Sequence, residues 1–198
     1  MIGLKPPFDY SLNQYLNNTL KFFAGENVLD EACILLVDRR VGHFHNFKML
    51  LTMTNDIEIK SAILSILSEN NAINLATAGG EYSPWILGAY FASDDLTIYL
   101  MLEKSGKTLA NLKVNPKGAL MISQNDAMKD FLQAQFEAVI LPDSDEAKVR
   151  ELLVGKMPWY QTYTPCTPVR LDVQKWFVSS FARQWFPARV LNTSLVNA

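Results

Sequence analysis

The sequence contains few of the residues that build disulfide frameworks, metal centres and membrane spans. It has two cysteines, Cys33 and Cys166, and two histidines in 198 residues. Two cysteines without a C-x-x-C spacing exclude a secreted disulfide framework and a cysteine-based zinc site, and they favour a reducing compartment. No apolar run approaches the roughly 18–20 residues that a membrane-spanning helix needs. We therefore expect a cytoplasmic protein without a membrane partner.

A targeting signal and an excess of charge of one sign are also lacking. The first ten residues, MIGLKPPFDY, do not show the charged start and apolar stretch of a secretory signal. Eighteen basic and 20 acidic residues give a formal net charge of −2, which argues against nucleic acid as a partner. Apolar residues make up 49% of the chain, and this is enough for a substantial core.

Both histidines lie in one tripeptide, His43-Phe44-His45. Two imidazoles without a third ligand in the same pattern are a weak metal signal, so we predict no metal site. Regular patterns begin only near residue 56. We therefore divide the chain into an N-terminal extension of unclear structure, 1–55, and a folded domain, 56–198.

The pattern of the folded domain predicts a mainly β (α+β) protein. Apolar residues at helical spacing predict a helix over 56–69, and two shorter helices are expected at 107–114 and 144–155. Alternating or continuous apolar segments between turn residues predict strands at 72–80, 84–93, 96–102, 117–123, 131–141, 167–181 and 183–192. Short polar links make consecutive strands antiparallel, which favours a barrel over a parallel α/β sheet.

One short motif, Ser105-Gly106-Lys107-Thr108, has the appearance of the end of a nucleotide-binding P-loop. A P-loop also needs a glycine five residues before Gly106, and Met101 stands there, so the motif is not one. A strand-to-helix junction still favours anions, because the first helical N–H groups lack partners. With the Ser105 hydroxyl and Lys107, and Lys104 nearby, the junction could hold a phosphate monoester. The alternative is that Ser105 caps the helix and the lysines are solvated.

The segment NAINLATAGGEYSPWILGAYFASDDLTIYLMLEKSGKTLANLKVNPKGALMIS resembles the pyridoxamine 5′-phosphate oxidase-like FMN-binding split barrel family. The shared features are the INLAT strand, the glycine turn, the FASDD hairpin, the Ser-x-Lys junction and the helix that ends in Asn-Pro. The resemblance covers roughly 57–192. It implies a split β-barrel of about six to seven antiparallel strands with a few short helices. It also implies a homodimer with FMN bound between the subunits.

The same resemblance assigns ten residues to the cofactor. Three of them match the segment that holds the FMN phosphate: Ser105, Gly106 and Lys107. Six match strand positions along the flavin: Leu100, Met101, Trp85, Ile86, Leu87 and Gly88. Gln133 matches a glutamine that reaches the cofactor. The alternative to a cofactor contact is packing for the Trp85 side chain and solvent exposure for Gln133.

The sequence departs from the enzyme that gives the family its name. Trp85 and Gly106 stand where that enzyme carries arginines, and Tyr90 stands where it carries a substrate-side lysine. The resemblance therefore implies an FMN-dependent oxidoreductase other than a true pyridoxamine-phosphate oxidase, with unknown catalytic residues. The alternative is a non-catalytic flavin- or heme-binding protein of the same fold.

Overall fold

The computed structural model describes residues 44–124, 126 and 128–193. Most of the expected N-terminal extension, including Cys33 and His43, lies outside the described residues, as does the side chain of His45. The division at residue 55 therefore stays a prediction. No helix within the described part of the chain has the length and apolar character needed to cross a bilayer.

The first described helix, α1, spans Phe44–Glu69 and so begins twelve residues before the predicted start at 56. Residues 44–55 show no clear apolar periodicity, but they contain no proline or glycine that would end a helix. From residue 56 on, the predicted helical face is present. Its buried side chains are Ile59, Ala62, Ile63, Ile66 and Leu67.

Eight strands follow, one more than the seven segments predicted. They are β1 (Ala72–Thr77), β2 (Trp85–Tyr90), β3 (Ala92–Asp94), β4 (Thr97–Glu103), β5 (Lys117–Ile122), β6 (Phe131–Ile140), β7 (Cys166–Ser180) and β8 (Trp185–Asn192). The predicted strand 84–93 is divided into β2 and β3 at Phe91. This residue is fully buried and donates its backbone N–H to the Asn71 carbonyl, so the chain leaves one ladder there and enters another.

All the strands pair antiparallel, in the order β2-β1-β5-β6-β7-β4-β3, with β8 also pairing with β7. The long strand β7 makes this possible, because its first part pairs with β4 and its last part with β8, while β6 lies along its other edge. This sheet, with a few helices, confirms the mainly β split-barrel fold.

The two short helices begin and end within two residues of their predicted bounds, which confirms both predictions. Helix α2 spans Lys107–Val114, and helix α3 spans Glu146–Lys156 after a single 3-10 turn. The main core unites the buried face of α1 with the inward side chains of the strands. A smaller cluster lies under α3, where Val149 and Leu153 pack with Met101 and Met157.

Close packing inside the barrel depends on one glycine in β5. A Cβ atom at Gly118 would lie 2.4 Å from the Phe136 ring and 2.8 Å from the Ala76 carbonyl oxygen. The Phe136 ring therefore occupies the space in which another residue would carry its side chain.

Candidate anion-binding site at the start of helix α2

A cavity of about 310 Å³ lies where β4 ends and α2 begins, beside the first residues of β2. Its lining consists of Trp85, Leu87, Leu102, Glu103, Ser105, Gly106, Lys107, Thr108 and Leu109. Five of the ten predicted cofactor residues meet here, from the strand β2, the turn after β4 and the first residue of α2. The pattern of β2 explains why Trp85 and Leu87 take part together, since alternate residues of a strand face the same side.

The start of α2 has no side-chain cap. The N-cap residue is Gly106, in an extended conformation (φ −76°, ψ 147°), and no side chain of the described residues accepts a hydrogen bond from the first turn. Ser105 lies one residue earlier, so the alternative in which Ser105 caps the helix is wrong. The turn is fixed instead by the Gly106 N–H, which donates to the Glu103 carbonyl at 2.9 Å. The first helical N–H groups are therefore available to an anion.

The two lysines of the junction, Lys104 and Lys107, make different contacts. The ammonium of Lys104 pairs with the Asp143 carboxylate at 3.2 Å, and Lys104 does not line the cavity. Lys107 holds its Nζ 4.2 Å from the centre of the Trp85 ring and 5.3 Å from that of Tyr82. Among the described residues, Lys107 has neither a hydrogen-bond acceptor nor an ion-pair partner. Of the residues that line the cavity, Lys107 is the one cation and Glu103 the one carboxylate.

Thr108 completes the first turn, and the sequence reasoning did not assign it to the site. Its side chain is 2% exposed, and its Oγ1 has no hydrogen-bond partner within the described part of the protein. A buried hydroxyl without a partner is costly, and such groups are found where a ligand or water satisfies them. The signal was present in the sequence, since Thr108 directly follows Ser-Gly-Lys.

The opposite end of α2 is tied to the turn that follows β1. Asn111 Nδ2 donates to Thr77 Oγ1 at 3.2 Å and to the Tyr82 carbonyl at 3.4 Å, and Asn115 Nδ2 donates to the Ala78 carbonyl at 2.8 Å. Gly79 allows this approach, because its φ is +148° and a Cβ there would lie 2.5 Å from the Asn115 Cβ. These contacts fix the position of α2 and therefore the direction in which its first N–H groups point.

Three other predicted residues lie on the opposite side of the sheet. Ile86 and Gly88 alternate with Trp85 and Leu87 along β2, and Gln133 is exposed on β6. We call this surface the outer face. A shallow cavity of about 420 Å³ lies on it, lined by Asn74, Ala76, Ile86, Ala119, Leu120, Met121, Gln133, Ala134, Gln135 and Phe177. The predicted polar side of β6 is confirmed, since Gln133 and Gln135 are exposed and Ala134 and Phe136 are buried.

Leu100 and Met101, the remaining two predicted residues, do not line the cavity. The Leu100 side chain is fully buried in the main core, and Met101 is 8% exposed in the cluster under α3. In β4 they lie opposite Val169 and Pro168 of β7. Their side chains hold the strand that leads into the junction.

Comparison with known families gives one match over this part of the chain. Residues 59–165, which include the whole cavity, match the family described as pyridoxamine 5′-phosphate oxidase. No curated protein matches the chain.

Solved structures show the same fold at low sequence identity. A candidate pyridoxamine 5′-phosphate oxidase from Listeria innocua is 19% identical with a TM-score of 0.51, covering 61% of this chain and 97% of that one. A heme-binding protein from Mycobacterium smegmatis is 16% identical (TM-score 0.54), and Campylobacter jejuni ChuZ is 14% identical (TM-score 0.56). These two matches cover 65% and 69% of this chain and only 55% and 60% of the other protein.

Proposed function

The chain belongs to the pyridoxamine 5′-phosphate oxidase-like split-barrel family, and we propose that it binds FMN through the cavity at the start of α2. One observation carries the proposal: the uncapped first turn of α2 and the unpaired Lys107 ammonium border the same cavity. Helix N–H groups and a lysine together favour a phosphate monoester. A cavity of about 310 Å³ suits the phosphate end of FMN, with the ring system lying outside it.

The residues of the cavity fit a phosphate group in one further respect. The buried Thr108 hydroxyl, in the first turn of α2, has no partner among the described residues. The site has no arginine, so it lacks the bidentate contacts that make phosphate binding strong, and Glu103 opposes a negative ligand. We therefore propose moderate affinity for FMN.

With FMN bound, the protein would be an oxidoreductase, because the flavin accepts a hydride or single electrons. In this chemistry the protein would hold the phosphate with Ser105, Lys107 and the first turn of α2. Trp85 and Gly106 replace the arginines of pyridoxamine-phosphate oxidases, so we propose a different substrate.

We also propose a homodimer formed through the outer face. Ile86 is 69% exposed there, and the registers of β1, β2 and β5 place it in one row with Ala76 and Ala119. Gln133 and Gln135 would supply polar contacts at the same surface. Ala119→Arg should convert a dimer to a monomer in light-scattering measurements, and Val154→Arg on α3 is the matched control. A monomeric wild-type protein would refute this part of the proposal.

The phosphate assignment is tested by the double variant Ser105→Ala/Lys107→Ala. We expect at least tenfold weaker FMN binding by fluorescence titration, because about 1.5–3 kcal/mol of charge-assisted hydrogen bonding is lost. Lys104→Ala is the control, since Lys104 pairs with Asp143 outside the cavity. Unchanged affinity in the double variant would refute the assignment.

A second candidate function is cofactor binding without catalysis, with heme or flavin as the ligand. It is supported by the heme-binding protein from Mycobacterium smegmatis, which has the same fold. Absorbance spectra separate the two functions. A protein that takes up FMN and is bleached by NADH or NADPH supports the oxidoreductase. A Soret band after hemin titration, without flavin uptake, supports heme binding.

A further inference from the structure

We propose that Trp85 is a positioning residue, which holds the Lys107 ammonium at the cavity and keeps it from pairing with Glu103. This inference rests on the proposed phosphate site and adds a residue whose role is indirect. It starts from the Trp85 ring, which lies 4.2 Å from Lys107 Nζ while both side chains line the same cavity.

The Trp85 ring is itself held by the fold. Trp85 is the first residue of β2 and lies opposite Thr77 in β1. The Thr77 hydroxyl accepts a hydrogen bond from Asn111 of α2. The strand that carries the ring and the helix that carries Lys107 are thus joined through Thr77 and Asn111, which fixes the Trp85 backbone relative to the Lys107 backbone.

A ring face suits this task, because it attracts an ammonium without using its hydrogen-bond donors. The attraction is electrostatic and comes from the negative face of the indole. A lysine side chain is flexible, and restricting it before binding reduces the entropy lost when a ligand arrives. Lys107 can therefore contact the ring on one side and donate to a phosphate oxygen on another.

Glu103 is the competitor for Lys107. Glu103 is the one acidic residue that lines the same cavity, yet no ion pair joins Glu103 and Lys107 among the described residues. If the ring were absent, the ammonium on its flexible stem would be free to pair with the acidic residue of the cavity. Pairing would neutralise the only cation that lines the cavity, so the ring preserves the positive charge available to a ligand.

The test compares four proteins: wild type, Trp85→Phe, Trp85→Leu and Trp159→Leu. The probes are FMN and inorganic phosphate, titrated by calorimetry. Trp85→Leu should bind about 3- to 30-fold more weakly, which corresponds to losing one cation–π contact. Trp85→Phe keeps a ring and should retain most of the affinity. Trp159, which is exposed and does not line the cavity, should be replaceable without effect.

A double-mutant cycle with Glu103→Gln distinguishes positioning from a purely structural role. Removing the carboxylate should raise affinity more in the Trp85→Leu protein than in wild type, because only there is Lys107 captured. Equal gains, or a Trp85→Leu protein that binds as tightly as wild type, would overturn the inference and leave the phosphate site standing. A wild-type protein that binds neither FMN nor phosphate refutes the proposed function, and the inference falls with it.

Discussion

The two ends of helix α2 are built on opposite principles. At its C-terminal end, Asn111 and Asn115 donate side-chain hydrogen bonds to the turn after β1, and Gly79 allows the backbones to meet. At its N-terminal end, no side chain caps the helix and Lys107 has no acceptor among the described residues. An eight-residue helix is too short to be stable alone. The closed end therefore supplies rigidity that the open end, without a side-chain cap, does not provide.

The two buried threonines near this helix show the same difference. Thr77 is 3% exposed and accepts a hydrogen bond from Asn111, whereas Thr108 is 2% exposed and its hydroxyl has no partner within the described residues. The same chemical group is thus hydrogen-bonded at one end of the helix and without a partner among the described residues at the other. Substitutions at the two ends should separate stability from binding.

The largest effect is expected from Gly79→Ala at the closed end. The new Cβ would lie 2.5 Å from the Asn115 Cβ, in a backbone conformation with φ of +148° that side chains rarely adopt. Strain and crowding together should lower the free energy of unfolding by about 2–4 kcal/mol. Urea denaturation measures this loss. Gly155→Ala is the matched control, because a Cβ there meets no atom within 4 Å and should add up to about 1 kcal/mol. Similar values for the two variants would contradict the close approach.

Thr77→Val should have the next largest effect. The change keeps the size of the side chain and removes the acceptor for Asn111 Nδ2, which is left with the longer bond to the Tyr82 carbonyl. We expect a loss of about 1–2 kcal/mol in the free energy of unfolding. FMN affinity should fall as well, because α2 loses an anchor. A variant as stable as wild type would show that this hydrogen bond does not hold the helix.

Several elements of the fold could be predicted from the sequence, and the failures have physical reasons. The position of α2 followed from Asn115-Pro116, and the site from a serine, a glycine and a lysine at a strand end. The division of the second strand at Phe91 was missed because the apolar run continues through it. The pairing of Lys104 with Asp143 joins residues 39 apart in sequence, which only the folded chain brings together.

The contact between the Lys107 ammonium and the Trp85 ring likewise forms only in the folded chain. The sequence indicated a lysine that adds charge at the junction, and packing was the alternative role for the Trp85 side chain. The fold brings the two side chains together because β2 and α2 are joined through Thr77 and Asn111. Local patterns therefore located the backbone segments around the cavity, whereas the contacts between their side chains required the tertiary structure.

Thr108→Val, at the open end, should not lower the free energy of unfolding as Thr77→Val does at the closed end. Since the Thr108 hydroxyl is buried without a partner among the described residues, its removal should leave the ligand-free protein equally stable or up to about 1 kcal/mol more stable. FMN affinity should nevertheless fall by about 3- to 10-fold if the hydroxyl contacts the phosphate. Urea denaturation and FMN titration on the same preparation measure both quantities. A loss of stability equal to that of Thr77→Val would contradict the contrast.

The smallest effect is expected at Lys156, a second lysine at a helix end. Its amine donates to the carbonyls of Leu67 and Asn70 at the end of α1, and it lies 3.6 Å from the centre of the Phe91 ring. These contacts favour the ammonium, but burial outweighs them and lowers the pKa of Lys156 from 10.5 to about 8. Between pH 8 and 10.5 the unfolded chain therefore binds more protons at this residue than the folded one. The free energy of unfolding should rise with pH in this window, relative to Lys156→Met, by less than about 1 kcal/mol because the side chain is half-exposed. Thermal unfolding of both proteins across the window measures the difference, and a difference that falls with pH would mean that the carbonyls, not burial, determine the pKa of Lys156.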